Sequence, residues 1–330
     1  MANITVPVGA GAAPTWARRL TRRDWRPYVV YIAFVIIFAI FAITQYSSGF
    51  LSPFNLLNIV GQTTSISVMA VGMTFVIASA EIDLSVGYTA GLVSVTTAMM
   101  IQSHGVVAGI VTGLLTGLGV GLVNGGLVTL LGIPSFLVTL GMMGITGGVG
   151  MWITNSAPVP ILSDAFNNPF GSGQFGPQIP VLILWTGAAL IIGHIVFRKT
   201  AFGRKTLATG GNEAAARFSG INTRRIKLDV LLISGFTAAI GGLIYAGRLQ
   251  SGRYQWGQGD ELSVIAAVII GGTSLFGGTG SVVGAVVGSL LVGLINNGLI
   301  LMGLQSSQQT IARSVLIILA VALTGRSKKS

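Results

Sequence analysis

Two acidic residues, Glu81 and Asp83, interrupt the apolar first half of the sequence within the run Glu-Ile-Asp-Leu-Ser-Val-Gly. A carboxylate at membrane depth is costly and usually marks a transport pathway or an ion-pair partner. At a cytoplasmic surface the run has a simpler interpretation, because Asp83 or Ser85 would cap the helix that follows. We interpret Glu81, Asp83 and Ser85 as a candidate gate, with capping as the alternative. Proton coupling is a weaker hypothesis, because no Lys, Arg or His lies in a nearby apolar run.

Three amide side chains lie in two apolar runs that are similar to each other. The segments VGLVNGGLVT (residues 120–129) and VGLINNGLIL (residues 292–301) are identical at six of ten positions. Asn124 lies in the first segment, and Asn296 and Asn297 lie in the second. Amides within apolar helices either line a polar pathway or form hydrogen bonds between helices. Both interpretations remain open for these three residues.

Other kinds of chemistry have little support in the sequence. There is no Cys, and the two His residues, His104 and His194, lie far apart, so neither disulfides nor a metal site is expected. No Gly-x-x-x-x-Gly-Lys-Ser/Thr run occurs, so the chain lacks the loop with which P-loop proteins bind ATP. A membrane enzyme would need a nucleophile with its base, and neither His has a plausible partner in sequence. Energy for transport is therefore expected from a partner or from an ion gradient.

The composition predicts an all-α integral membrane protein. Of 330 residues, 52% are hydrophobic and only 8% are charged, whereas a water-facing domain of this length needs far more charge. Apolar runs of about twenty residues predict about ten transmembrane helices, near 28–46, 56–79, 86–102, 106–131, 135–154, 180–197, 228–247, 262–275, 281–303 and 310–324. The runs 56–79 and 262–275 contain polar residues or glycines, so either is a candidate discontinuous helix.

The basic residues indicate the orientation. Sixteen of the 19 Lys and Arg residues fall within 18–26, 198–227 and 326–329, and even numbers of predicted helices separate these groups. All three groups therefore face one side, which the positive-inside rule identifies as the cytoplasm. The net charge of +11 thus indicates topology, and no nucleic-acid partner is expected.

The domain organisation follows from this orientation. We expect a cytoplasmic basic segment at 1–27, a transmembrane domain at 28–325 and a cytoplasmic tail at 326–330, in a multi-pass protein of the cytoplasmic membrane with both termini inside. The loop 198–227 is cytoplasmic in this scheme, and the loop 155–179 is external. The external loop is rich in Asn, Pro and Gly, and it is either a docking surface or a passive connector.

Glycine spacing predicts close helix packing. Glycines recur every four residues on the fourth and ninth predicted helices, at Gly113, Gly117, Gly121 and Gly125 and at Gly280, Gly284 and Gly288. An odd number of crossings separates these two helices, so their similar sequences favour an inverted-topology repeat. A second register, which pairs Ser67 and Ser85 with Ser263 and Ser281, would give a parallel repeat instead.

The cytoplasmic loop contains a second short helix signal. In the run ATGGNEAAARFSGINTRRIK, Gly210 and Gly211 end one element, Asn212 can cap the next, and Gly220 stops it. This pattern predicts an exposed helix of two turns that starts at Glu213. Such a helix has little core of its own, so we expect a partner to bind it.

This run resembles the cytoplasmic coupling loop of ABC-importer permeases. Its pattern Gly-Gly-Asn-x-x-Ala-Ala-Arg-x-Ser-Gly-Ile is similar to the ribose-type branch of the ribose and branched-chain amino acid permease family. Further similar runs occur in order along the chain, IDLSVG at 82–87, IPSFLVTLG at 133–141 and IGGTSLFGG at 270–278. One departure is Glu81, where relatives commonly have Gly, which puts an extra charge at a possible gate.

The resemblance implies a permease subunit that imports a monosaccharide or similar polyol across the lipid bilayer. Its implied partners are a second copy or a related permease, two ATP-binding subunits and an external solute-binding protein. ATP and magnesium would then bind to the partner subunits, with no cofactor and no metal in this chain.

The resemblance and the polar positions together give two sets of candidate site residues. The residues implied for coupling to the ATPase are Asn212, Glu213, Ala214, Ala215, Arg217, Ser219 and Gly220. The residues predicted for the substrate pathway or gate are Glu81, Asp83, Ser85, Asn124, Phe136, Thr139, Asn296 and Asn297. We expect this pathway to lie between the two related halves.

The main alternative is an ion-coupled secondary transporter of a small polar solute, which would also show inverted repeats and broken helices. The exposed loop helix disfavours it, because such a carrier does not need one. The scarcity of embedded ionisable residues disfavours it as well.

Overall fold

The computed structural model describes residues 29–176, 179–305, 307–312 and 314–315. Its helices are α1 (Val29–Thr44), α2 (Pro53–Ala78), α3 (Val86–His104), α4 (Val106–Leu130), α5 (Ser135–Ile153), α6 (Asp164–Asn167), α7 (Leu182–Lys199), α8 (Ala201–Gly211), α9 (Glu213–Phe218), α10 (Thr223–Arg248), α11 (Asp260–Ile270) and α12 (Val282–Leu301). A π-helical turn (Asn168–Ser172) follows α6. The two-residue strands β1 (Val159–Pro160) and β4 (Ser251–Gly252) pair antiparallel, as do β2 (Gln174–Phe175) and β3 (Ile179–Pro180).

The prediction of an all-α membrane protein is confirmed. Within the described residues, six helices are long and apolar enough to cross a membrane, namely α2, α4, α5, α7, α10 and α12. Most of the predicted run 310–324, the basic segment 1–27 and the tail 326–330 lie outside the described residues. The count of ten transmembrane helices therefore stays a prediction.

Local sequence signals set several helix starts. Ser52 precedes Pro53, and its hydroxyl accepts the N–H of Asn55, so α2 begins with a capped first turn that tolerates proline. Thr200 and Ser281 cap α8 and α12 in the same way. The start of each of these three helices is therefore explained by its local sequence, without any tertiary contact.

α2 and α10 form the centre of the bundle and run antiparallel. Gly72 of α2 packs on Thr237 of α10, whereas Gly241, one turn later on α10, packs on Met69 of α2. Most of the residues of both helices are buried, polar side chains included. The hydroxyl of Thr74, for example, donates to the carbonyl of Ala70 on its own helix (2.8 Å). A hydroxyl that donates to the carbonyl one turn earlier is satisfied within its own helix. These helices can therefore be buried at the centre of the bundle without polar partners on neighbouring helices.

The predicted glycine stripes lie at helix contacts. Gly117, Gly121 and Gly125 on α4 face α10, and Gly113 faces both α3 and α10. A side chain on Gly117 would collide with the backbone of Gly235. On α12, Gly284 and Gly288 face the backbone of α11 at Gly271 and Ala267. The glycines therefore allow backbone-to-backbone packing, as small residues do in membrane helices.

Helix directions agree with the inverted repeat. α4 is antiparallel to α10, since Gly117 lies opposite Gly235 and Gly125 lies opposite Leu228. α12 is antiparallel to α2, since Ser289 lies opposite Ser67, with their hydroxyls 2.7 Å apart, and Gly293 lies opposite Thr63. Because α2 and α10 are themselves antiparallel, α4 and α12 run in opposite directions, as an inverted repeat requires. The helix directions also fit the second register, which would give a parallel repeat. In that register α2 corresponds to α11 and α3 corresponds to α12, and the helices of each pair run parallel.

The bundle has two distinct ends. At one end, which we call the α9 end, Gly210 of α8 packs against the carbonyl of Ala78, and the same carbonyl accepts the N–H of Gly278 (3.0 Å). At the opposite end, which we call the far end, the region predicted as an external loop folds onto the bundle. There Phe166 stacks on Phe170 (5.0 Å between ring centroids), and Gly171 packs against the backbone of Arg248. Residues 155–176 are therefore an ordered part of the surface.

α11 is the discontinuous helix. It has 11 residues, begins after Gly259 in the left-handed conformation (φ 84°), and ends at Gly271. An 11-residue helix rises about 16 Å, which is about half of the hydrocarbon core. The prediction for the run 262–275 is thus confirmed. The other candidate for a break, 56–79, falls in α2, which is continuous over 26 residues.

A single added side chain tests the α4–α10 contact. We expect Gly117→Val to lower the free energy of unfolding in detergent by about 1 to 3 kcal/mol, because overpacking forces two backbones apart. Gly119→Val is the matched control on the same helix, since no atom lies within 4 Å of a side chain at that position. A stability of Gly117→Val equal to that of Gly119→Val would contradict the packing described above.

Candidate functional site

The segment 79–85, which joins α2 to α3, is held by two hydroxyls of α5. Ser135 accepts the N–H of Ile82 (3.0 Å), and Thr139 accepts the N–H of Leu84 (3.0 Å). Both hydroxyls are buried. Of the two pathway residues predicted on this helix, Thr139 is therefore part of the support for the segment, whereas Phe136 lies exposed on the outer surface of α5.

A buried polar network joins this segment to α10, α3 and α4. One oxygen of Asp83 accepts both the N–H and the hydroxyl of Ser85 (2.8 and 2.6 Å), and the other accepts the hydroxyl of Ser234 (2.7 Å). Asn124 in turn donates its amide to the Ser85 hydroxyl (3.0 Å). Ser85 occupies the N-cap position of α3, but its hydroxyl donates to Asp83 and makes no cap bond. The structure thus brings together the predicted residues Asp83, Ser85 and Asn124.

The other two predicted amides lie elsewhere. Asn297 exchanges two hydrogen bonds with Asn55 of α2 (3.0 and 2.9 Å), near the far end of the bundle. Asn296 is half-buried beside it. Asn124 and Asn297 therefore bond to different helices toward opposite ends of the bundle, and a pathway lined by Asn124, Asn296 and Asn297 stays a prediction.

A lysine bridges the segment to the exposed helix α9. The ammonium of Lys227, in the first turns of α10, lies 2.8 Å from Oε1 of Glu81 and 2.8 Å from Oε2 of Glu213. Glu213 also accepts from Arg217 (3.0 Å) and Thr223 (3.1 Å). The hydrogen bond from Lys227 holds the pKa of Glu213 below its usual value of 4.5, although partial burial acts in the opposite direction. Glu213 is therefore a carboxylate at neutral pH.

α9 stands on the surface as the sequence predicts. Asn212 caps it by accepting the N–H of Ala215 (3.0 Å), and Gly220, with a φ of 81°, follows its end. Ala216 is its buried residue, whereas Phe218 is 93% exposed. The remaining predicted coupling residues on this helix and just after it are exposed as well, namely Ala214, Ala215, Arg217, Ser219 and Gly220.

The arrangement connects a surface helix to the interior of the bundle. No cluster of three or more His, Cys, Asp or Glu that could hold a metal occurs within the part of the chain that the structure describes. The network instead joins α9, through Glu213, Lys227 and Glu81, to a segment that is hydrogen-bonded to α5 and α10. A displacement of α9 would therefore act directly on the interior of the bundle.

Comparison with known proteins identifies the class. Residues 55–323 match the family model described as branched-chain amino acid transport system / permease component. The chain belongs to this permease family. The match extends from the first turn of α2 beyond the end of α12, so it includes both central helices, α9 and the polar network.

Individual relatives of this permease cover nearly its whole length. The chain is 39% identical over 304 residues to the ribose import permease protein RbsC of Escherichia coli K12, covering 90% of this chain and 93% of the relative. It is also 39% identical over 304 residues to the probable ABC transporter permease protein YphD of the same strain (91% and 90%). Identity to the L-arabinose transport system permease protein AraH of that strain is 36% over 310 residues (93% of each chain). No solved structure matches.

Several residues of the site are missing from the sequence-based prediction. From the sequence alone, Lys227 belongs only to the basic cluster of the loop 198–227, and Ser234 is part of an apolar run. Phe218 is a residue of the α9 motif without a predicted role of its own. A signal did exist for Lys227, because it is the last cation before the apolar run of α10 and therefore the one best placed to meet an embedded acid.

Removal of the bridging cation should destabilise this permease. We expect Lys227→Met to lower the free energy of unfolding in detergent by about 3 kcal/mol, because the poorly exposed Glu81 loses its partner. A second change, Glu81→Gln in the same chain, should recover most of that loss.

Arg225→Met is the control for this experiment. It removes a cation from the same helix, but its ion pair with Asp229 is largely exposed and should contribute less than about 1 kcal/mol. If Lys227→Met and Arg225→Met lowered the free energy of unfolding equally, the Lys227 bridge would contribute no more than an exposed ion pair.

Proposed function

We propose that this chain is the membrane-spanning subunit of an importer for a monosaccharide or similar polyol, driven by ATP hydrolysis in partner subunits. The family match supports the permease role. The names of the relatives, which refer to ribose and L-arabinose, support the class of solute. The observation that carries the mechanism is the exposed helix α9, which is linked by Lys227 to the buried segment 79–85.

In this proposal the ATP-binding subunit docks on α9. A phenylalanine that is 93% exposed at the end of a bundle is poorly accommodated by water, and a cleft of a partner protein would bury it. Ala214 and Ala215 have small side chains, which would allow a close approach on the same surface. ATP and magnesium would bind in that partner, and nucleotide-driven movement of α9 would be transmitted through the ion pairs to the segment 79–85.

The remaining partners occupy other surfaces. A second copy of the chain, or a related permease, would pack alongside to complete the pathway. The solute-binding protein would dock at the far end, where residues 155–176 form an ordered surface. In the cytoplasmic membrane this places α9 and both termini in the cytoplasm, in agreement with the distribution of basic residues.

The orientation can be tested because the sequence has no Cys. Single cysteines at Ala165, in α6, and at Asn212, before α9, both lie on the exposed surface. With a membrane-impermeant thiol reagent on intact cells, we expect label at position 165 only, and label at position 212 only after lysis. Label at 212 in intact cells would reverse the proposed topology.

The docking surface can be tested separately. We expect Phe218→Ser to abolish copurification with the cognate ATP-binding subunit and to remove ATP hydrolysis that depends on the sugar-loaded binding protein. Ala215→Asp should do the same, because a bulky acid would stand in the docking surface. Phe175→Ser is the matched control for copurification with the ATP-binding subunit, since it removes an exposed phenylalanine from the far end. A Phe218→Ser variant that still binds the ATP-binding subunit as well as the control would refute docking on α9.

A further inference from the structure

After α10 ends, the chain turns back into the bundle as a largely non-helical segment. Residues 251–259 run along α3, first opposite Ser94, whose hydroxyl accepts the N–H of Arg253 (3.0 Å). Further along, Gly91 packs against the carbonyl of Trp256, and Gly87 packs against the carbonyl of Gly257. The segment therefore descends from the far end toward the start of α3, where α11 begins.

Helix α10 provides a scale for the depth of this segment. Its uncharged stretch, residues 230–247, has 18 residues and a length of about 27 Å, close to the hydrocarbon thickness of about 30 Å. The centre of that stretch lies at Ala238 and Ala239. Asp83 bonds to Ser234 on one side of the centre, and Gly242 packs against Ala90 on the other side. Gly87 lies between Asp83 and Ala90 in the chain, so it lies close to the midplane, and Gly257 lies beside it.

Two glutamine side chains are exposed at this depth. Gln255 and Gln258 flank Gly257, and neither side-chain amide takes part in a hydrogen bond with any residue that the structure describes. A primary amide in hydrocarbon without a partner costs several kcal/mol, on the order of 2 to 7. Irregular backbone at membrane depth is tolerated only where protein buries it or where it lines a water-filled cavity. An aqueous space beside this face would satisfy both requirements.

The remaining exposed surface at the same depth is different. On α4, Leu115 lies between Gly113, which packs on Leu243, and Gly117, which packs on Ala239, so it also lies near the midplane. Leu115 is 62% exposed and apolar, as a residue in contact with lipid should be. At this depth, the face with Gln255 and Gln258 is therefore suited to water, and the face with Leu115 is suited to lipid.

We propose that Gln255 and Gln258 line the solute pathway near the membrane midplane and form hydrogen bonds with the hydroxyl groups of the passing sugar. Each primary amide offers two donors and an acceptor, which matches hydroxyl groups that both donate and accept. Between the two glutamines, Trp256 is fixed by a bond from its indole N–H to the carbonyl of Ser251 (2.9 Å). The acids at the start of α11, Asp260 and Glu261, are buried, so amides rather than carboxylates face the pathway.

This inference rests on the proposed function for the identity of the solute, but not for the position of the pathway. The first test therefore uses accessibility. Gln255→Cys, Gln258→Cys and Leu115→Cys are made separately in the cysteine-free chain, and the assembled complex in membrane vesicles is treated with a cationic methanethiosulfonate reagent, with and without ATP.

We expect the cysteines at 255 and 258 to react in at least one nucleotide state and the cysteine at 115 to remain unreactive. Addition of the sugar-loaded binding protein should slow the reaction at 255 and 258 several-fold. Cysteines at 255 and 258 that react no faster than the one at 115 in every state would overturn the proposal, because the amides would then face lipid or a protein contact.

The second test measures transport. We expect Gln255→Leu and Gln258→Leu each to reduce sugar uptake about tenfold, the effect of losing one or two hydrogen bonds to the solute, with the complex still assembled. The Asn variants, which keep the amide, should retain part of the uptake, and Leu115→Ala should retain all of it. If the unaltered complex imports sugar and both Leu variants match it, the pathway assignment is wrong. If the unaltered complex imports no sugar while the labelling pattern holds, the proposed solute is wrong and the pathway stands.

Discussion

A polar group inside hydrocarbon must find its partner within the protein or in enclosed water, and much of this structure depends on that requirement. Hydroxyls of the central helices bond to carbonyls of their own helix, so α2 and α10 can be polar and still stay in the interior. The segment 79–85 cannot bond to itself in this way. Hydroxyls on α5 and α10 therefore satisfy it, and its position is fixed by helices that are far away in sequence.

The same requirement gives the two families of close contacts different roles. Glycines on α4 and α12 bring backbones together where no polar partner is needed, and these contacts set the rigid frame of the bundle. Hydrogen-bonded side chains hold the interrupted places, the segment 79–85 and the start of α11. The start of α11 lies close to the membrane midplane, which is where transporters generally bind their solutes.

Features that depend on residues close together in the chain could be predicted from the sequence. Apolar runs predicted the long helices, glycine spacing predicted that α4 packs closely on a neighbouring helix, and Asn212 with Gly220 predicted α9 and its cap. Features that depend on residues far apart were not accessible. Glu81 and Lys227 meet only after α2 and α10 have packed, and the glutamines of residues 251–259 have no periodicity that would reveal their depth. Asn124 and Asn296 occupy matching positions in a repeated run, yet inversion of the repeat sends them toward opposite ends.

The two ion pairs of Lys227 are arranged so that opposite charges balance on both sides of the contact between α9 and the bundle. Glu213 is bonded to Arg217 as well as to Lys227, and Glu81 is bonded to Lys227. If α9 separated from the bundle, Glu213 would leave together with Arg217, and Lys227 would remain with Glu81. Each side of the break would then be electrically neutral, and no buried charge would be stranded. Such a joint can open and close repeatedly by exchanging the hydrogen bonds that Glu213 accepts from Lys227 and Thr223, which is what a part that moves in every turnover requires.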